Sequence, residues 1–216
     1  MKKPFVKICC ISSVSEAKLA LKYGASALGL VGHMPSGPGV ISDELIAEIV
    51  QTIPENIDTF LLTSETSAQK IIEHHAKVGT STIQIVDELL DGSHEDIKKA
   101  LPNVKIVQVL HVQDHRTLNE ALELSKYVDG ILLDSGNPSQ KTKELGGTGR
   151  VHNWAVSKKI VEKSKAPVIL AGGLKLENVQ NAIKTVQPFG IDLCSGVRTN
   201  GNLDAEKLKQ FFGAIR

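Results

Sequence analysis

Little in this chain marks it for an oxidising compartment, a nucleic acid or a membrane. Its three cysteines, Cys9, Cys10 and Cys194, are too few for a disulfide framework, and the odd count suits reduced thiols. A bridge between the adjacent Cys9 and Cys10 would be strained. Lys and Arg number 25 against 24 Asp and Glu, so no basic field exists to attract nucleic acid, and no arginine cluster supplies a local one. No apolar run is long enough to cross a bilayer. The opening MKKPFVKICC lacks the apolar core of a secretion signal, and we expect a cytoplasmic protein. The 7 histidines show no spacing that would converge two imidazoles, so no metal site is expected and most should lie on the surface or in loops. His111, at the end of an apolar run, is the exception that could meet a ligand. No linker, low-complexity stretch or fixed-period repeat divides the chain, and residues 1–216 are read as one domain.

What the chain does have is regular alternation. Strand patterns are predicted at 5–11, 27–32, 57–63, 82–87, 105–112, 128–135, 168–172 and 191–195. Helical spacing falls between them at 14–23, 43–51, 67–78, 95–100, 116–125, 154–163 and 176–186, and closes the chain at 205–215, with Ser42 a candidate N-cap. Eight βα units point to a closed (β/α)8 TIM barrel, with a doubly wound open sheet as the competing arrangement.

Two glycine-rich stretches, LAGGL at 170–174 and CSGV at 194–197, each follow a short apolar run and precede a helical pattern. Glycine lets backbone amides approach an anion, and a helix N-terminus adds its positive end. After strands seven and eight of a barrel that combination characteristically forms a phosphate pocket, here drawn from Gly172, Gly173, Ser195 and Gly196. Two long connections, 33–41 and 136–150, fall on the same face and have the length of lids; the second contains GGTG, whose Gly147 and Thr148 add backbone donors.

Candidate chemistry sits at strand ends. Lys7 and Cys9 are two apart and project to one face of the first strand, and a neighbouring ammonium favours thiolate, making Cys9 a candidate proton acceptor or nucleophile. A small buried apolar role fits Cys9 equally well. Cys10 is expected to face the other way, in a structural role. Asp134 ends the apolar run at 131–133, where desolvation would raise its pKa towards that of a general acid, or where it could anchor a loop. Asp192 lies inside the eighth strand, as a pocket residue or as the partner of a lysine. Trp154 reads as a packing anchor.

In order and spacing, KIC at 7–9, ALGLV at 27–31, LLDS at 132–135, ELGGTG at 144–149, LAGGL followed by Glu177-Asn178-Val179, and GIDLCSGV at 190–197 resemble the phosphoribosylanthranilate isomerase family of the tryptophan pathway. The resemblance spans nearly the whole chain. It implies a (β/α)8 barrel that performs an Amadori rearrangement on a small phosphosugar, with no cofactor, as a monomer or homodimer. It assigns Cys9 as general base at C2 and Asp134 as general acid at the furanose oxygen. The chain also departs from the family pattern. Gly39 stands where an arginine would meet the anthranilate carboxylate, Val86 stands where a histidine would end strand four, Arg198 replaces an acid after strand eight, and Cys10 replaces a glycine. Loss of the arginine removes a bidentate carboxylate fork. Arg198, Arg150 or His33 is the expected substitute cation. The alternatives are a different phosphosugar-type substrate or a phosphometabolite-binding barrel without catalysis.

Overall fold

A computed structural model describes residues 4–136 and 152–215 of the chain. Within them, parallel strands β1 (Phe5–Ile8), β2 (Ala27–Val31), β3 (Asp58–Thr63), β4 (Thr82–Ile85), β5 (Lys105–His111), β6 (Gly130–Asp134), β7 (Val168–Leu170) and β8 (Gly190–Leu193) pair in chain order and close into a barrel. The open-sheet arrangement is ruled out by the β1–β8 ladder, which sets Lys7 against Asp192 and Ile8 against Leu193.

Eight helices alternate with these strands: α1 (Val14–Tyr23), α2 (Asp43–Gln51), α3 (Ala68–Val78), α4 (His94–Ala100), α5 (Arg116–Leu124), α6 (Trp154–Lys163), α7 (Val179–Val186) and α8 (Ala205–Ala214). None among the described residues is long and apolar enough to cross a membrane. The caps are local chemistry. Ser42 Oγ accepts from the Leu45 N–H at 3.3 Å, as its position before an acidic first turn suggests, and Gly24 ends α1 in the left-handed region.

Both faces of each strand are covered, which is why the strands read as nearly continuous apolar runs. Val6, Ile8, Leu28 and Leu30 point out to the helices; Ala27, Val31, Phe60, Val107, Val109 and Leu132 point into the barrel. Trp154 packs against the outer layer, as expected of an anchor.

Most of the expected bounds are trimmed or shifted by up to three residues, and two of the changes matter at the mouth. The first strand stops at Ile8 because Cys10 takes a φ of 61°, leaving extended geometry. Helix α7 starts at Val179 because Asn178 pins the preceding loop: its Oδ1 accepts from the Lys175 N–H and its Nδ2 donates to the Gly173 carbonyl, each at 2.9 Å.

Candidate active site

Strand alternation carries Lys7 and Cys9 into the barrel. Lys7 is wholly buried, with Nζ 2.9 Å from Asp192 Oδ2 and 5.3 Å from the centre of the Phe60 ring. Burial alone would discharge it, but Asp192 opposes that most strongly, Cys9 adds to the effect, and the pKa ends above the ordinary lysine value. The ammonium therefore stays charged beneath the site. Cys9 sits one layer higher, 6 % exposed. Room for both comes from β2, where a Cβ on Gly29 would lie 2.9 Å from Cys9 Sγ and 3.0 Å from Lys7 Nζ.

Asp134, the last residue of β6, is 8 % exposed. Desolvation pushes its carboxyl group up from the usual 3.8, against the Ser135 N–H, which donates to Oδ1 at 2.7 Å, and against the charge of His111 on the adjoining strand position. This environment favours the protonated form of the carboxyl group. Gly172 keeps the space around it: its φ is 79°, and a Cβ there would stand 3.1 Å from Asp134 Oδ1 and 2.9 Å from Ser135 Oγ.

Cys9, Asp134, Asp192, Gly172, Gly173 and Ser195 line one open-topped cavity at the C-terminal ends of the strands. Gly196 lines the adjoining cleft, which shares Gly173 and Ser195 with the cavity and adds Lys175 and Lys207. Across the cavity from these glycines the wall is apolar, built by Val31, Met34, Leu62, Val86 and Val109. One polar group interrupts it. Gln84 is 3 % exposed, and its Oε1 has no hydrogen-bond partner. The arrangement can seat an anionic end on backbone amides and an apolar ring opposite, with a thiol and a carboxyl group of raised pKa between them.

Several expectations change. Cys10 does not face away: its positive φ turns it onto the cavity wall, with Sγ 2.8 Å from Cys194 Sγ and 3.6 Å from the Pro38 carbonyl oxygen. Arg198 is not a pocket cation. Its guanidinium pairs with Glu16 through two contacts of 2.9 and 3.0 Å and donates to the Cys9 and Cys10 carbonyls, tying the end of β1 and helix α1 to the segment after β8. His33 is exposed and outside the lining, and no lysine, arginine or histidine is among the described lining residues. Gly39 packs beneath the lining, where a Cβ would fall 2.5 Å from Cys10 Cβ. Arg150, Gly147 and Thr148 lie outside the described residues.

The histidines are less superficial than expected. His75 is buried with Nε2 at 2.7 Å from the Thr80 carbonyl oxygen, and His74 joins Thr63 to Asp43. Burial drops the His152 pKa to about 4. His111 lines a separate cleft with His94, Gln108 and Arg116. No group of three or more His, Cys, Asp or Glu among the described residues could hold a metal ion.

Gly29 and Gln84 were missed in the sequence. Gly29 sits in the quoted ALGLV motif, where an interior glycine signals close approach. Gln84 is a polar residue in an apolar strand, a signal of the same kind as Asp192.

A closed eight-stranded barrel with a cavity and a glycine-rich corner at the C-terminal ends of its strands falls in the class of (β/α)8 barrels that place their site on that face. Its family is narrower. The model of N-(5'-phosphoribosyl)anthranilate (PRA) isomerase matches residues 6–214, and the chain belongs to that family. An N-(5'-phosphoribosyl)anthranilate isomerase of Methanosarcina acetivorans is 34 % identical over 227 residues, covering 99 % of this chain and 94 % of its own length. The crystal structure of phosphoribosyl anthranilate isomerase from Thermotoga maritima superimposes with a TM-score of 0.82 at 27 % identity, covering 98 % of each chain. A phosphoribosyl anthranilate isomerase in complex with reduced 1-(o-carboxyphenylamino)-1-deoxyribulose 5-phosphate gives a TM-score of 0.79 at 25 % identity, again over 98 % of each chain.

Proposed function

We propose that this chain isomerises N-(5'-phosphoribosyl)anthranilate to 1-(o-carboxyphenylamino)-1-deoxyribulose 5-phosphate, in the cytoplasm, as a step of tryptophan biosynthesis. The observation that carries the reading is a single cavity lined by Cys9 and Asp134, with Gly172, Gly173 and Ser195 at one end and an apolar wall at the other. The phosphate rests on the amides of Gly173, Ser195 and Gly196, and the aromatic ring lies against Val31, Leu62 and Val86. Asp134 gives its proton to the furanose oxygen as the C1–O bond breaks, leaving an iminium at C1. Cys9, as thiolate, takes the C2 proton, and the electron pair neutralises the iminium as an enolamine. Tautomerisation of the C2 enol gives the ketone, and the proton on Cys9 and the one lost by Asp134 are exchanged with solvent. Gly147 and Thr148 are assigned to the phosphate from the motif alone.

A direct isomerase assay with phosphoribosylanthranilate tests this. Acid or base catalysis contributes about 10²–10⁴-fold, so Cys9→Ala and Asp134→Asn should each lower kcat by that order while both still unfold in a cooperative thermal transition. Near-parental turnover in either variant removes that residue from its role.

The absence of a cation among the described lining residues favours one second reading, in which the ring carries no carboxylate. A phosphoribosylamine with an uncharged aryl group separates the two. Turnover of that compound without turnover of phosphoribosylanthranilate would replace the first reading with the second.

A further inference from the structure

All three cysteines of the chain meet at one corner of the barrel mouth. Cys9 and Cys10 follow β1, and Cys194 follows β8, the strand that closes the barrel onto β1. Cys10 and Cys194 have their Sγ atoms 2.8 Å apart. That is less than 1 Å beyond the ~2.05 Å of a disulfide and inside the ~3.5–4.0 Å at which even carbon atoms sit unbonded. The backbone turns Cys10 towards Cys194: the Cys10 φ of 61° lies in the left-handed region, which a residue other than glycine seldom adopts.

The two thiols differ in accessibility and charge. Cys10 is buried and Cys194 half-buried. In the protonated pair Cys194 donates to Cys10, and Cys10 donates to the Pro38 carbonyl. When Cys194 ionises, the Cys10 proton can turn onto it. That hydrogen bond first, and then Arg198 and Lys7, hold Cys194 below the ordinary thiol range against burial and Asp192, while Cys10 is pushed up. An attacking sulfur and a resolving sulfur are thereby distinguished.

We infer that Cys10 and Cys194 form a redox-active dithiol, closed to a disulfide by a hydroperoxide and reopened by a small dithiol, with Cys9 left as a free thiol. The Cys194 thiolate attacks the peroxide O–O bond, giving a sulfenic acid and, after protonation, one molecule of alcohol or water. Cys10 sulfur then attacks the Cys194 sulfenic sulfur, forming the S–S bond and releasing water. Overall two thiols are oxidised and one peroxide is reduced. Cys9 is excluded as partner to Cys10 because a vicinal bridge is strained. Closure removes the Cys10 donor from Pro38, loosening the contact between β1 and the 33–41 segment, and moves the chain beside Ser195. This chemistry does not depend on the reaction assigned to Cys9 and Asp134.

The test uses the whole reduced protein and one equivalent of hydrogen peroxide. After quenching with catalase, the protein is alkylated in denaturant and digested without reduction. Free thiols should fall from three to one and return to three with dithiothreitol. Fragment ions should place the bridge between Cys10 and Cys194, with the alkyl group on Cys9. In Cys9→Ser the same bridge should form to the same extent, and in Cys194→Ser no bridged peptide should appear. The inference is overturned if the bridge involves Cys9. It is equally overturned if Cys194 proceeds to sulfinic acid without a bridge, or if three thiols survive peroxide that fully oxidises free cysteine.

Discussion

Burial favours the protonated form of the Asp134 carboxyl group, and this bears on stability as well as chemistry. Its pKa in the folded chain is raised above 3.8, so the folded state binds a proton that the unfolded state releases. The stability tied to that proton is complete below the unfolded pKa and is lost as pH rises through the folded one. Asparagine does not titrate. We therefore expect Asp134→Asn to gain Tm relative to the parent as pH rises from about 4 to 8, even as it loses turnover. Parallel Tm curves for the two proteins across that range would contradict the raised pKa. Gly29 supports the opposite side of the site by having no side chain. In Gly29→Ala the new methyl would meet Cys9 Sγ at 2.9 Å and Lys7 Nζ at 3.0 Å. Overpacking of this kind typically costs about 1–3 kcal/mol, and displaced Cys9 should depress kcat more than it raises KM. Denaturant unfolding together with steady-state kinetics reads both, and unchanged kcat would show that Cys9 tolerates the shift.

At the scale of elements, the β1 end and the 33–41 segment both depart from the family pattern and touch one another. Cys10 stands at φ 61° where the family resemblance expects glycine, and Gly39 stands at φ 81° where it expects arginine. A Cβ at position 39 would lie 2.5 Å from Cys10 Cβ, so the two departures are one steric event. Gly39→Arg alone should therefore lose stability without a gain in phosphoribosylanthranilate binding. Cys10→Gly combined with Gly39→Arg removes the side-chain clash and the Cys10 strain, though arginine keeps the φ of 81°, and should lower KM for phosphoribosylanthranilate by up to about tenfold, the equivalent of ~1.4 kcal/mol. An equal KM in the single and double variants would separate the two positions.

For the whole molecule, the decisive contact is the closure of the barrel, where Lys7 of β1 and Asp192 of β8 form an ion pair 2.9 Å long inside the core. Removing one partner of a buried pair costs about 3–5 kcal/mol, whereas replacing both with apolar groups is often neutral. Lys7→Met should lose that amount in urea unfolding, and Lys7→Met with Asp192→Leu should recover most of it; a double variant no more stable than the single would mean the pair is not energetically coupled. The chain alone announces much of this architecture. Periods of two and of 3.6 residues are local properties, so the eight strands and eight helices are legible while their ends shift by one to three residues, most at Cys10 and Asn178, where one residue breaks the rule. Cys9, Asp134 and the glycine pairs are legible for the same reason, since their place at strand ends follows from the pattern around them. The fate of Arg198 is not, because its partner Glu16 is 182 residues away, and neither is the Cys10–Cys194 approach across 184 residues. Chain pattern determined which elements form and which residues sit at their ends. Barrel closure decided which of those ends meet, because contacts between distant segments depend on register and packing that no local period encodes.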